Sequence, residues 1–251
     1  MKRLSLAALI VALGATSAVA LQTGSTPSDT VVKFYRALKQ KRYVEGFRFS
    51  IYRGAVEGLS QAELKDLEPD FKRTFSAIPD KIEPQGETIS GDTAIVKLKF
   101  EGLANTQDVT LVRVGGEWLV GDQDALAAVR SQGHAFFFNS RILVNEAEVF
   151  EMLQRLVGAQ MLYGRKYDGR YATLKELIRL DGVPKEIEDE EGGYRFVMTL
   201  GKDQKSFFAT ATPVTYGRSG RTSFYADPNG VRGEDLKGRP ASPASPVYMP
   251  K

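Results

Sequence analysis

Cysteine is absent from all 251 residues. That absence excludes disulfides, thiolate metal sites and cysteine nucleophiles together. Histidine is almost absent, since His134 stands alone. A Ser-His-Asp relay or a multi-histidine metal centre would have to run through that one residue, which has no visible partner. A dominant charge is lacking too: 34 Lys and Arg stand against 31 Asp and Glu. Of the formal +3, two charges belong to Lys2 and Arg3, which leaves +1 for the rest. The basic residues are scattered among acids rather than clustered, so nucleic acid is not an expected partner. The chain carries no internal repeat.

The strongest apolar run opens the chain. Lys2 and Arg3 precede residues 4–14, which are apolar except for Ser5, and Ala18-Val19-Ala20 fits a small-x-small cleavage site. This reads as a secretory signal over residues 1–20, with a mature chain from Leu21 and a periplasmic or secreted destination. The run is shorter than the ~20 residues that span a bilayer, so no membrane span is expected after cleavage. No Cys follows the small residues, which excludes a lipoprotein anchor. An exported chain without disulfides suits a bacterial periplasm or surface.

Beyond a polar stretch at 21–26, Val31, Phe34, Tyr35 and Leu38 recur at helical spacing, with Ser28 or Asp29 as cap. Residues 43–52 are rich in aromatics. Ser60 and Glu63 form a capping box for a helix carrying Leu64, Leu67, Phe71 and Phe75, which Pro69 is expected to kink or divide. The period then changes. Residues 82–89, 93–100, 109–114 and 118–120 read as strands, with Pro84 marking an edge and Gly115-Gly116 a tight hairpin. Helices followed by an antiparallel meander give an α+β domain over 27–121. A connector at 122–144 follows, with a short helix at 122–130 and two apolar triplets, Phe136 to Phe138 and Ile142 to Val144. Residues 145–163 form an amphipathic helix carrying Val149, Met152, Leu153 and Leu156. A short helix at 173–180 and strands at 194–200, 206–212 and 222–225 complete a second unit to 235, where Val231-Arg232 begins a last strand. The tail 236–251 is rich in Pro, Ser and Ala and reads as disordered.

Two resemblances accompany this reading. Thr26-Pro27-Ser28, Val31, Phe34, Tyr35 and Leu38, with residues 89–96 (ISGDTAIV) and the hairpin at 110–118 (TLVRVGGEW), make the first domain similar to the nuclear-transport-factor-2-like (SnoaL-like) cone. The resemblance implies helices packed on a curved antiparallel sheet around an apolar cavity. That fold hosts enzymes, ligand binders and interaction modules alike. Asn145, Glu146, Ala147, Gln160, Tyr163, Tyr171, Leu174 and Leu177 carry the second likeness. With Gly193-Tyr194-Arg195-Phe196 and residues 208–213, 220–225 and 227–232, they resemble the globular head of type IV pilins and type II secretion pseudopilins. It implies a helix on a small antiparallel sheet. A pilin opens with a long apolar helix, whereas residues 131–141 here are polar at both ends, so the head is expected in a soluble protein rather than a filament.

Candidate sites are few. Tyr35, Phe47, Phe49, Tyr52 and Trp118 are expected either to line a pocket in the cone or to form ordinary core. Asp66, Asp70 and Asp92 are the acids available to such a cavity; the first two read as solvated helix acids and Asp92 as a turn residue. Asp227, Asn229 and Asp235, with Glu234, offer oxygen ligands for Ca²⁺, as pseudopilins similar to this domain can hold calcium in a C-terminal loop; the alternative is a plain Asp-Pro-Asn-Gly turn. No other cofactor is expected. The acidic run at 188–191 is either a solvated loop or a surface for a basic partner. With no complete catalytic set, the chain reads as an exported, soluble, non-enzymatic binding protein of the bacterial cell envelope with a protein partner. The alternatives are a small-molecule binder or enzyme using the cone cavity, and an accessory of a type II secretion or type IV pilus system.

Overall fold

The computed structural model describes residues 25–190 and 192–250. The expected signal at 1–20 lies outside the described residues. Helix α1 (Pro27–Lys39) starts on a capping box: the Thr26 hydroxyl accepts from the Asp29 amide at 3.1 Å, and Asp29 accepts from the Thr26 amide at 3.3 Å. The cap is therefore Thr26, not Ser28 or Asp29, because Pro27 supplies the preset φ of the first helical position. The aromatic-rich stretch breaks into α2 (Tyr43–Phe47) and α3 (Arg53–Val56). Helix α4 (Gln61–Thr74) carries the expected Ser60–Glu63 box. Of the two outcomes expected of Pro69, division does not occur: it sits inside a continuous α4.

Strands β1 (Ile82–Ser90), β2 (Thr93–Phe100), β3 (Gln107–Val114) and β4 (Glu117–Val120) form an antiparallel meander in the order β1-β2-β3-β4. Strand β1 is an edge, as Pro84 signalled, and its register slips between Pro84 and Gly86. Gly115 and Gly116 hold φ of 58° and 86°, the left-handed pair that a two-residue hairpin needs. On β2 the strict alternation turns Ala94, Val96, Leu98 and Phe100 inward. They pack with Leu111, Trp118 and Val31 of α1, which covers this face.

Helix α5 (Gln123–Gln132) and a single 3-10 turn lead into α6 (Phe136–Lys166), a helix of 31 residues. The expected connector at 122–144 is thus mostly helix, and the helix expected to start at Asn145 begins at Phe136. The buried residues Phe138, Ile142, Asn145, Val149, Leu153, Leu156, Gln160 and Gly164 follow one another at intervals of three and four, so one stripe runs its whole length. Its first turns pack on the first unit, and the remainder packs on the second sheet. Full burial of Leu153 or Leu156 contributes about 2 kcal/mol each. No helix among the described residues is long and apolar enough to cross a membrane.

After α7 (Leu174–Arg179) come β5 (Tyr194–Leu200), β6 (Phe207–Pro213), β7 (Ser223–Asp227) and β8 (Gly230–Glu234), paired antiparallel in chain order. Both halves are mixed helix and antiparallel sheet, an α+β chain. The polar residues of α6 fasten it to the second half. Asn145 Nδ2 donates to the Ser219 carbonyl at 2.9 Å, and the Glu146 carboxylate accepts from the amides of Arg221 and Thr222, each at 2.9 Å. Buried Gln160 donates to the Ala172 carbonyl and accepts from its amide, both at 2.8 Å.

The tail expected to be disordered is folded. The Gly233 amide donates to the Pro246 carbonyl at 3.0 Å, and the Tyr248 amide to the Val231 carbonyl at 3.1 Å. The Tyr248 ring lies 4.8 Å from Phe224 and 5.3 Å from Phe150. A Pro- and Ser-rich composition argues for disorder only when no apolar anchor is present. Here Tyr248 is that anchor.

Candidate binding site at the junction of the two halves

Three segments bring aromatic rings to one place. Helix α2 and the turn after it supply Phe47 and Tyr52, α4 supplies Phe71 with Phe75 just past its end, and the start of α6 supplies Phe136 and Phe137. Phe137 is the hub, with ring centroids 5.0 Å from Phe71, 5.2 Å from Phe47 and 5.7 Å from Tyr52. Edge-to-face pairs such as Phe47–Phe71, at 5.0 Å and 69°, add about 1 kcal/mol each beyond burial. These rings wall a cavity of about 270 Å³ whose rim carries Asp70, Arg73, Ser140, Arg141 and Val144.

The rim charges are committed to holding the halves together. Arg141, 12% exposed, bonds the Asp70 carboxylate at 2.7 Å and 2.8 Å, the Asp66 carboxylate at 3.1 Å and the Asp66 carbonyl at 2.6 Å. Arg73 bonds Asp70 from the other side at 3.3 Å. Nearby, Arg218 of the β6–β7 loop donates to Glu63 at 2.9 Å while its guanidinium lies 3.9 Å above the Phe138 ring. The Ser60 backbone amide, then the Arg218 and Ser60 side chains, hold the Glu63 carboxyl down at about 2. Burial, with the Asp122 carboxylate behind it, pushes the Tyr52 phenol up, so it stays protonated near neutrality. The cavity offers apolar walls, and its acids are already bonded to arginines.

The five aromatics expected to share a pocket separate. Phe47 and Tyr52 line the junction cavity. Trp118 belongs instead to the cluster under α1, where it is buried and faces Arg113 at 5.6 Å, and Tyr35 bridges that cluster and the aromatic one through Phe100 and Phe34. Phe49 packs partly on the aromatic cluster, with Lys33 6.0 Å from its ring. Asp66 and Asp70 are not solvated helix acids but the partners of Arg141. Two acids at i and i+4 on one helix face repel unless a cation joins them, so that spacing called for a cation without identifying Arg141. His134 is exposed and covers Gly58, where its imidazole lies 2.0 Å from the position a Cβ would take.

The expected calcium ligands do not converge. Asp227 accepts the Asn229 amide at 2.7 Å and closes the turn between β7 and β8. Register pairs Asp227 with Gly230 but Ser223 with Glu234, so Glu234 and Asp235 lie at the far end of that hairpin. At about 3.3 Å per residue, the five steps from Gly230 to Asp235 span roughly 16 Å, far beyond one ion's shell. Asp235 instead bonds Tyr216 at 3.1 Å and Lys237 at 3.3 Å. Among the described residues no cluster of three or more metal-ligating side chains is present.

No family model, curated protein or solved structure matches the chain.

Proposed function

We propose that this chain is an exported, non-enzymatic binding protein of the bacterial cell envelope, a cone-like unit and a pilin-head-like unit acting as one body. The leader at 1–20 supports export, and the bonds from Arg141 and Arg218 to α4 support the single body. The observation that carries the binding role is the aromatic-walled cavity at the junction, whose rim acids are consumed by arginines. Such a cavity suits an apolar anchor residue from a protein partner. The face of the first sheet beneath α1 is filled by Val31, Val96, Phe100 and Trp118, which leaves the junction cavity as the main support.

The test is cross-linking and recovery from envelope extracts with the wild type and with Val144→Arg, a half-exposed rim position. A partner recovered by the wild type and lost with the variant supports the reading. Recovery of the same proteins by both, or of none, overturns it.

A further inference from the structure

Among the described residues, three of the four sheet edges are protected, each by a different device. Strand β1 carries Pro84 and a register slip. Strand β4 is covered by residues 49–51: the Val120 amide donates to the Phe49 carbonyl at 2.9 Å and the Ile51 amide to the Val120 carbonyl at 3.0 Å. Strand β8 is covered by the C-terminal segment. Strand β5 has none of these devices. It pairs with β6 in unbroken register over seven residues and contains no proline.

The open hydrogen-bonding groups of β5 can be named. At its two ends the Gly193 carbonyl accepts from the Val214 amide at 3.0 Å, and the Gly201 amide donates to the Ser206 carbonyl at 2.8 Å. Antiparallel pairing alternates, so Arg195, Val197 and Thr199 bond to β6, while the amides and carbonyls of Tyr194, Phe196, Met198 and Leu200 face outward. Among the described residues no backbone bond reaches them. Helix α6 meets β5 from beneath the sheet, where Gln160 Nε2 lies 3.2 Å from Met198 Sδ, and the 3-10 turn Lys185–Glu188 packs against the strand, but neither bonds its outward amides and carbonyls.

We infer that β5 pairs antiparallel with β5 of a second copy of this chain, about a two-fold axis through Val197. Three observations select that occupant. First, only outward-facing residues can pair, and a two-fold at Val197 sets Phe196 against Met198 of the other copy and Tyr194 against Leu200, all with free groups. Second, Arg195 then faces Thr199 rather than a like charge, and Val197, 49% exposed, meets its own copy at a closely spaced, non-hydrogen-bonded position. Third, the charges at the two ends of β5 are complementary. Exposed Glu186, Glu188 and Asp189 precede it, and Glu186 and Asp189 wall a hollow of about 360 Å³ beside Phe196. Exposed Lys202 and Lys205 follow it and form no ion pair among the described residues; Asp203 between them accepts the Lys205 amide at 3.0 Å, which leaves the turn with a net charge of +1. Antiparallel pairing lays the acidic end of each copy beside the basic turn of the other, twice. A C2 interface has to be self-complementary in this way. Seven residues of strand bury less than the ~800 Å² per partner of a standard interface, so the dimer dissociates in the micromolar range.

Sedimentation equilibrium on the purified protein, from about 5 to about 500 µM, reads this directly. A monomer–dimer equilibrium is expected, with amide exchange at Phe196, Met198 and Leu200 slowing as concentration rises. Val197→Lys is a half-exposed, outward change that leaves the β5–β6 ladder intact, and it is expected to weaken the dimer at least ~10-fold with the melting temperature unchanged. Asp189→Lys and Lys205→Asp should each weaken it, and the two together should restore it. A monomer across the range, a dimer that Val197→Lys leaves unchanged, or new amide protection along β1 in place of β5 overturns the inference.

Discussion

Arg141 of α6 and Asp70 of α4 share two bonds, 2.8 Å from Nε and 2.7 Å from an Nη to the same carboxylate oxygen. Asp66, one turn away, takes two more donors of Arg141 through its side chain and carbonyl. Helix α6 belongs to both halves, so fixing it on α4 fixes the second sheet relative to the first. Replacing Arg141 with Met keeps the buried stem but leaves two carboxylates facing each other. The pair lies between the exposed and fully buried cases, so Arg141→Met is expected to cost about 2 kcal/mol. Urea midpoints of Arg141→Met, Asp70→Asn and the double variant check this. Non-additivity is the expected result, and strict additivity would show that the pair does not act as a unit.

Glu63 ties the capping box of α4 to Arg218 across the junction. Its folded carboxyl sits at about 2, against an ordinary 4.5. A depressed carboxyl contributes stability that is fully present above 4.5 and is lost as pH falls through the window from 4.5 to about 2. Glu63→Gln should therefore flatten the acid limb of the stability curve in that window and change its slope little at neutrality. The side-chain carboxyl resonance of Glu63 gives a second readout. It should titrate closer to the ordinary value in Arg218→Ala, and closer still in the Ser60→Ala, Arg218→Ala double variant. A titration unmoved by both changes would remove the cap and the arginine as the cause.

The elements with local signals were legible in the sequence. Ser60 and Glu63 announced α4, the alternation of residues 93–100 announced β2, and Gly115-Gly116 announced the β3–β4 hairpin. The start of α6 was not legible. Asn139, Ser140 and Arg141 read as a polar break, yet each is satisfied within the fold: Asn139 by Gln132 at 2.8 Å, Ser140 by the Phe136 carbonyl at 2.9 Å and Arg141 by Asp70. The salt bridge to α4 is a long-range contact that no window of the sequence contains. The pocket was half legible for a related reason. Phe47 and Tyr52 lie near one another in the chain, but the rings that complete their cavity come from α4 and α6. Trp118 is turned by its own strand toward a different cluster, and Tyr35 packs between the two.

Composition misled most at the C-terminus, and the correction can be measured. Tyr248 inserts between Phe224 and Phe150, and its segment closes the β8 edge. Tyr248→Ala removes a half-buried ring and two aromatic contacts, a loss of about 2–3 kcal/mol. Amides of Gly233 and residue 248 should lose protection in hydrogen exchange, since the first donates to the Pro246 carbonyl and the second to the Val231 carbonyl. A fully stable Tyr248→Ala protein would return the tail to the disordered class.

Gln160 is a buried amide that donates to the carbonyl and accepts from the amide of Ala172, at the entrance to α7, and also donates to Met198 Sδ at 3.2 Å. Leu fills nearly the same volume, so Gln160→Leu separates hydrogen bonding from packing. The substitution leaves the amide and carbonyl of Ala172 buried without partners, each costing about 1–3 kcal/mol, against a gain of about 1 kcal/mol from removing a buried polar side chain. A net loss of about 2–3 kcal/mol is expected, with the loop that follows α6 loosened first. Limited proteolysis should then cut near residues 167–172 at a rate the wild type does not show. Gln160→Glu discriminates further. An ionised carboxylate can accept from the Ala172 amide but cannot donate to its carbonyl, so this variant should lose stability as pH rises through the carboxyl titration. A Gln160→Leu protein as stable as the wild type would make the residue a tolerated passenger rather than the lock on α7.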